Sequence, residues 1–243
     1  MTKYGLIGFP LSHSFSKKYF LEKFEKLQIR DAVFENYELP DIEAVDSLFK
    51  DPELKGFCIT IPYKKAILPY LDEVTPAVKA MQACNCVQLK GGRKIGHNTD
   101  VTGFEGSFTP HLKPHHKKAL ILGTGGAAAA IEYVLQKLGI SYTFVSRNPA
   151  LSELSYQEAK HPKVMAAHTV IINCSPVGTF PKESEAPDLA YELLTSDHYL
   201  FDLVYNPPLT KFLQYGRARG ASIQNGFPML EIQAEENWRI WQL

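Results

Sequence analysis

The chain is expected to fold as an α/β protein built on two sheets, each covered by helices. Three observations lead there. Strand-patterned and helix-patterned segments alternate along all 243 residues, as in βαβ units. One apolar run, 119–122, leads into the turn Gly123-Thr124-Gly125-Gly126 and then an alanine-rich helix. Upstream stand a lysine and an aspartate suited to moving protons, Lys64 in Thr60-Ile61-Pro62-Tyr63-Lys64 and Asp100 in Asn98-Thr99-Asp100.

Residues 3–8 read as a buried first strand. Residues 15–27 follow as a helix, with Tyr19, Phe20, Phe24 and Leu27 near helical spacing. Next come strand 33–39, a short helix at 42–49 behind the capping candidate Asp41, and strand 56–61. Thr75-Pro76 opens another helix, a capping hydroxyl followed by proline at the first helical position. Segments 86–89 and 93–97, joined by Gly91-Gly92, suggest a hairpin or near-hairpin. Residues 101–108 form a linking helix. Residues 111–118, polar and interrupted by Pro114, form a solvated boundary loop, with His111, His115 and His116 as metal ligands in the alternative.

The second half restarts with strand 119–122, the glycine turn and helix 126–138. Strands at 142–146, 169–173, 199–204 and 222–224 follow, with helices at 189–194, 210–219 and 228–241. Such alternation argues for parallel sheets covered on both faces.

A hydrophobic fraction of 45% supports a sizeable core. Lysine plus arginine, 26, equals aspartate plus glutamate, 26, so no net charge points to nucleic acid or an anionic membrane. No stretch approaches the roughly 18 apolar residues of a membrane span. The N-terminal residues read as a strand and not as a secretory signal. The expectation is a cytoplasmic protein acting on a small molecule, monomer or homodimer. Cys58, Cys84, Cys86 and Cys174 are scattered, and Cys84-Asn85-Cys86 is too closely spaced for the usual zinc knuckles. They read as partly buried thiols in a reducing compartment, with no metal expected.

Gly123-Thr124-Gly125-Gly126-Ala127 sits between a strand and a helix, where a dinucleotide turn belongs. The first glycine permits the tight turn, the next ones let backbone N–H groups approach a pyrophosphate, and the helix N-terminus favours the anion. The end of the following strand, where NAD binders commonly place a carboxylate for the ribose hydroxyl, holds Ser146-Arg147-Asn148. A guanidinium and two small polar groups suit a 2′-phosphate, which favours NADP. In the substrate half, Ser14 and Ser16 lie at the N-terminus of the first helix. There they either clasp a carboxylate or cap the helix.

The ordered set of motifs resembles the shikimate dehydrogenase family over nearly the whole chain. It comprises Gly8 to Ser16, Thr60-x-Pro62-x-Lys64, Ala83-x-Asn85, Asn98-Thr99-Asp100 and Gly123-x-Gly125-Gly126-Ala127. It continues with Asn173-x-x-Pro176-x-Gly178, Asp202-x-x-Tyr205-x-Pro207 and Gly226-x-x-Met229-Leu230-x-x-Gln233-Ala234. The resemblance implies a substrate domain at 1–100 plus 226–243, a Rossmann-like NADP-binding domain at 101–225, and a cleft between them. It implies reversible NADPH-dependent reduction of 3-dehydroshikimate, with Lys64 and Asp100 as the catalytic pair. Ser14, Ser16, Thr60, Asn85, Tyr205 and Gln233 would hold substrate. Gly123, Thr124, Gly125, Gly126, Ala127, Ser146, Arg147 and Asn148 would hold NADP, with Gly226 and Met229 bordering the nicotinamide.

The chain departs from the family pattern at Cys58, where the family usually has asparagine, at Cys86 and Thr179, and at Leu151, where a second basic residue of the phosphate loop is expected. Cys58 and the single cation of the phosphate loop leave one rival, a quinate or shikimate dehydrogenase with relaxed substrate or NAD use, and since fold does not fix function a non-catalytic nucleotide- or metabolite-sensing relative is the other.

Overall fold

From Tyr4 onward β1 (Thr2–Gly8) is buried on both faces, as an interior strand must be. The computed structural model describes residues 1–11, 15–148, 150 and 153–243. After β1 come α1 (Phe15–Lys26), β2 (Ala32–Glu38), α2 (Val45–Leu48), β3 (Leu54–Ile59), α3 (Tyr63–Ala66), β4 (Glu73–Val74), α4 (Pro76–Met81), β5 (Cys86–Lys90), β6 (Arg93–His97) and α5 (Asp100–Phe108). The second series is β7 (Lys118–Leu122), α6 (Ala128–Lys137), β8 (Ser141–Val145), α7 (Tyr156–Ala159), α8 (Pro162–Ala167), β9 (Val170–Asn173), β10 (Tyr199–Asp202), α9 (Lys211–Ala218), β11 (Ser222–Gln224) and α10 (Phe227–Trp241). The chain divides into two compact units, Met1–Thr102 with Gln233–Leu243, and Gly103–Ile232. Both boundaries fall inside helices, α5 and α10.

The first unit has a six-stranded sheet in the order β2-β1-β3-β5-β6-β4. β1 pairs parallel with β2 and β3, while β5 runs antiparallel to both β3 and β6. The hairpin is what makes this sheet mixed. Its turn residues Gly91 and Gly92 both have positive φ, 58° and 78°, the backbone that a tight right-twisted hairpin demands. α10 closes one face of the sheet. Ala234, Ile240 and Trp241 share a core with Phe20 and Phe24 of α1 and with Tyr4 and Phe34. The Trp241 indole donates to the Val87 carbonyl at 3.0 Å.

The second unit has a five-stranded, fully parallel sheet in the order β11-β10-β9-β7-β8. The chain leaves β7 toward β8 on one side and returns to β9 on the other. The carboxyl ends of β7 and β9 therefore flank a topological switch point, where open α/β sheets bind ligands. The edge strand β8 is covered by 153–154. Glu153 Oε2 accepts from the Phe144 N–H at 2.8 Å, and Leu154 bridges Val145, which blunts an otherwise open edge.

Several expectations are corrected. Thr75 starts α4, but its hydroxyl makes no capping bond; Pro76 at the first helical position fixes the helix start without one. The helix expected at 189–194 is a single 3-10 turn, Tyr191–Leu193. The unpatterned stretch before β9 contains α7 and α8, the former started by a reciprocal capping box of Ser155 and Glu158. Among the described residues no helix is long and apolar enough to cross a membrane.

The boundary loop at 111–118 is not simply solvated. His116 is 2% exposed and stacks on Tyr199. Its Nδ1 accepts from the Lys113 N–H at 2.9 Å, and its Nε2 lies 3.0 Å from the Asp197 carbonyl, which fixes the neutral Nε2–H tautomer. Burial holds this imidazole below its ordinary pKa of 6.5; the Asp197 carbonyl opposes that, and His115, Lys113 and His198 add to it. The unfolded chain therefore binds this proton first. Its contribution to stability is intact above the ordinary value and is lost as pH falls from there through the lower folded-state value. The thermal midpoint is expected to drop between pH 7.5 and pH 5.5, and His116→Gln should shrink that drop. An equal drop in the variant would contradict this assignment.

Candidate active site

In the first unit, the segment after β3 turns on Thr60, whose N–H donates to the Ile7 carbonyl at 2.9 Å and whose own carbonyl accepts from the Tyr63 N–H at 3.0 Å. This starts the one-turn helix α3, which projects Lys64. The Lys64 carbonyl accepts from the Cys84 N–H at 2.8 Å, so the lysine backbone is also tied to the strand entry at 84–86. Asp100 is the first residue of α5. Its carboxylate does not serve as a cap: Asp100 Oδ2 accepts from Lys64 Nζ at 2.6 Å. The lysine side chain is 21% exposed and the carboxylate 6%. A buried carboxylate matched to a partly exposed amine has one solvent-facing partner, the amine.

Asn85 sits beside the pair. Its Oδ1 accepts from the Thr99 N–H at 2.7 Å, which turns its Nδ2 toward Gln233 Oε1 at 3.3 Å. Asn85 and Gln233 thus form a joined amide pair with spare donor and acceptor capacity, the inventory needed for a polyhydroxylated ring. Ser16 occupies the first turn of α1. Ser14, His13 and Leu151 lie outside the described residues. Asn98 and Thr99 are buried: Asn98 Nδ2 donates to the Ala83 carbonyl at 2.9 Å, and Thr99 Oγ1 to Asn237 Oδ1 at 2.7 Å. Thr99 and Asn237 went unrecognised from spacing, because they stand 138 residues apart.

In the second unit, Gly123, Thr124, Gly125, Ser146 and Arg147 line a cavity of about 640 Å³ together with Tyr156, Cys174, Ser175, Pro176 and Val177. These residues follow the carboxyl ends of β7, β8 and β9, the switch point named above. Gly123 has φ +99°, and a Cβ added there would stand 3.4 Å from Ser175. A Cβ on Gly126 would meet nothing within 4 Å, so the turn is open to an incoming group. Ala127 caps α6 with no side-chain bond, so no side chain competes for the amides at this helix start. Arg147 and Asn148 are exposed, and Ser146 Oγ accepts from the Asn148 N–H at 3.1 Å. Open glycines, a helix start without a side-chain cap and one guanidinium fit a dinucleotide with a pyrophosphate and a further anion.

Behind this cavity, Asp202 is fully buried. It accepts from Asn173 Nδ2 at 2.9 Å, the Val204 N–H at 3.0 Å and Thr210 Oγ1 at 2.6 Å. Burial pushes its carboxyl up to about 6 against these bonds. Asn173 in turn holds Ser175 through its N–H at 3.0 Å and its hydroxyl at 2.6 Å. Of the remaining expected residues, Tyr205 is half-buried, with burial raising its phenol pKa, and Met229 is buried. Gly226 packs directly beneath the Leu203 carbonyl. Among the described residues no group of three or more His, Cys, Asp or Glu could hold a metal ion.

A parallel dinucleotide-type sheet in one unit and an amine–carboxylate pair beside joined amides in the other define a nicotinamide-dependent oxidoreductase of small polar molecules. The comparisons narrow this. The family described as "Shikimate dehydrogenase substrate binding domain" matches residues 6–87. A protein named Shikimate dehydrogenase (NADP(+)) from Caldicellulosiruptor saccharolyticus is 36% identical over 258 residues, covering 99% of this chain and 92% of its own. A shikimate 5-dehydrogenase from Listeria monocytogenes, solved in complex with shikimate and NAD, has a TM-score of 0.88 at 27% identity, covering 100% of this chain and 92% of its own. A shikimate 5-dehydrogenase from Thermus thermophilus, solved in complex with NADP(H) and shikimate, has a TM-score of 0.85 at 30% identity, covering 99% and 93%. The chain belongs to the shikimate dehydrogenase family.

Proposed function

We propose that this protein interconverts 3-dehydroshikimate and shikimate with NADP(H), in the chorismate pathway and in the cytoplasm. The observation that carries the reading is the 2.6 Å contact between Lys64 Nζ and the buried Asp100 carboxylate. When bound, NADPH supplies the hydride that reduces the carbonyl carbon. The Lys64 ammonium donates a proton to the carbonyl oxygen as that oxygen gains charge, and the resulting amine recovers a proton from solvent. In the reverse direction Lys64 removes the hydroxyl proton. Asp100 holds Nζ in place and stabilises its positive charge, so the donor is oriented before the substrate arrives. A positioned acid–base group of this kind contributes about 10² to 10⁴ in rate.

Asn85, Gln233 and Thr60 are assigned to the ring hydroxyls, Ser14 and Ser16 to the carboxylate, and Tyr205 to the substrate. Gly123 to Ala127 are assigned to the pyrophosphate, Ser146, Arg147 and Asn148 to the 2′-phosphate, and Gly226 and Met229 to the nicotinamide. The glycine turn and exposed Arg147 support the choice of NADP. Arg147→Ala is expected to raise KM for NADP about tenfold, the equivalent of one charge-assisted hydrogen bond, and KM for NAD less than about twofold. Equal effects on the two cofactors would remove Arg147 from phosphate recognition.

The functional reading is tested by following nicotinamide absorbance with shikimate or quinate, each with NADP or NAD. Turnover confined to shikimate with NADP is expected. Faster turnover with quinate or NAD overturns the substrate or cofactor choice, and no turnover in any combination overturns the enzyme.

A further inference from the structure

β3 carries a thiol, Cys58, at the position where the family resemblance leads one to expect an amide. An amide is nevertheless present, delivered from α10. Asn237 Nδ2 donates to Cys58 Sγ at 3.1 Å, and Asn237 Oδ1 accepts from Thr99 Oγ1 at 2.7 Å. Asn237 is 3% exposed and Thr99 1%, so these bonds have no solvent to replace them. A side-chain amide that offers its nitrogen to one segment and its oxygen to another fixes both. Here the two segments are the strand leading to Thr60 and Lys64, and the turn leading to Asp100.

The consequence reaches the site through Thr99. Thr99 immediately precedes Asp100, and its N–H donates to Asn85 Oδ1 at 2.7 Å. The Thr99 hydroxyl also lies 3.2 Å from the same Asn85 oxygen, so Thr99 selects which end of the Asn85 amide faces Gln233. Cys58 is itself within electrostatic reach of the pair: the Asp100 charge raises, and the Lys64 charge lowers, the pKa of a thiol that burial keeps neutral.

We propose that Asn237 is a positioning residue for the Lys64–Asp100 pair and for Asn85, acting through the Thr99 hydroxyl, and that it supplies from the last helix the amide that position 58 lacks. The inference rests on the reading of Lys64 and Asp100 as the proton relay. Misplacing a reacting group by about 1 Å can lower turnover a hundredfold.

The test uses the full chain, with circular dichroism and thermal melting to establish that each variant folds. Asn237→Leu, close in volume but without hydrogen bonds, should lower kcat for shikimate about tenfold to a hundredfold and raise KM for shikimate. KM for NADP should stay within about twofold, a split that general loosening would not produce. Thr99→Val, which keeps the N–H to Asn85, removes both contacts of the hydroxyl and leaves α10 untouched, should give a comparable fall. The double variant should be no worse than the poorer single one within about twofold, because both changes remove the shared Thr99–Asn237 bond. Multiplied effects, or Asn237→Leu within about twofold of the wild-type enzyme, overturn the inference. Should Asn237→Leu fail to fold, Thr99→Val at wild-type rate overturns it alone. A wild-type protein inactive on every substrate and cofactor pair refutes the functional reading instead, and the inference falls with it.

Discussion

Lys64→Ala is expected to lower kcat for shikimate oxidation by about 10² to 10⁴, with KM for NADP within about twofold of wild type. The amine is the solvent-facing member of the pair, and the Tyr63 hydroxyl in the same turn is buried and donates to the Leu39 carbonyl at 2.5 Å. Loss of the ammonium also strands a buried carboxylate, so stability must be separated from chemistry. Lys64→Arg separates them. Guanidinium keeps a positive charge beside Asp100 but holds its proton at any working pH. It should restore the thermal midpoint better than alanine does while leaving turnover low. Either variant turning over within about fivefold of wild type would remove Lys64 from proton transfer.

The second large effect is on stability. Gly226→Ala is expected to lower the thermal midpoint by about 5 to 10 °C, from roughly 2 to 3 kcal/mol of overpacking in a chain of this size. A Cβ on Gly226 would stand 2.1 Å from the Leu203 carbonyl oxygen and 2.7 Å from its carbon. The obstacle is backbone, which cannot rotate away as a side chain can. The Gly226 N–H also donates to the Val204 carbonyl at 3.3 Å, so shifting the glycine strains the start of α10. Calorimetry of the purified variant checks this, and a midpoint within about 1 °C of wild type would contradict it. The assigned place of Gly226 beside the nicotinamide and this packing constraint are compatible, since both demand the absence of a side chain.

Much of this architecture was legible because its causes are local. The apolar strands β1, β7 and β9, the double glycine of the hairpin, Asp41 before Ala44 and the glycine turn before α6 all announce themselves within a few residues. What escaped notice depends on distance or on weak signals. β4 has two residues and exists only because Glu73 and Val74 pair with Ile95 and Gly96. The Ser155–Glu158 capping box was readable but sat in a stretch without periodicity. The burial of His116 requires Tyr199 and the Asp197 carbonyl, supplied more than eighty residues later. In the site, Lys64 and Asp100 were named as a pair and Asn85 and Gln233 as ring-hydroxyl ligands from their motifs, but not the bonds that tie Asn85 to Thr99 and to Gln233. Thr99 stands in the sequence as the middle residue of the Asn98-Thr99-Asp100 motif, and no local pattern singles out Asn237. Only the fold shows that one hydrogen bond joins them, and that Cys58 has its amide partner on another helix.

The proposed proton relay requires Lys64 and Asp100 to act as one device. The direct measurement is kcat for shikimate oxidation in Lys64→Ala, Asp100→Ala and the double variant under identical conditions. Groups that act as a unit lose their effect together. The double variant should therefore fall no more than about threefold below the poorer single one. Losses that multiply would show two independent contributions and contradict the shared proton relay.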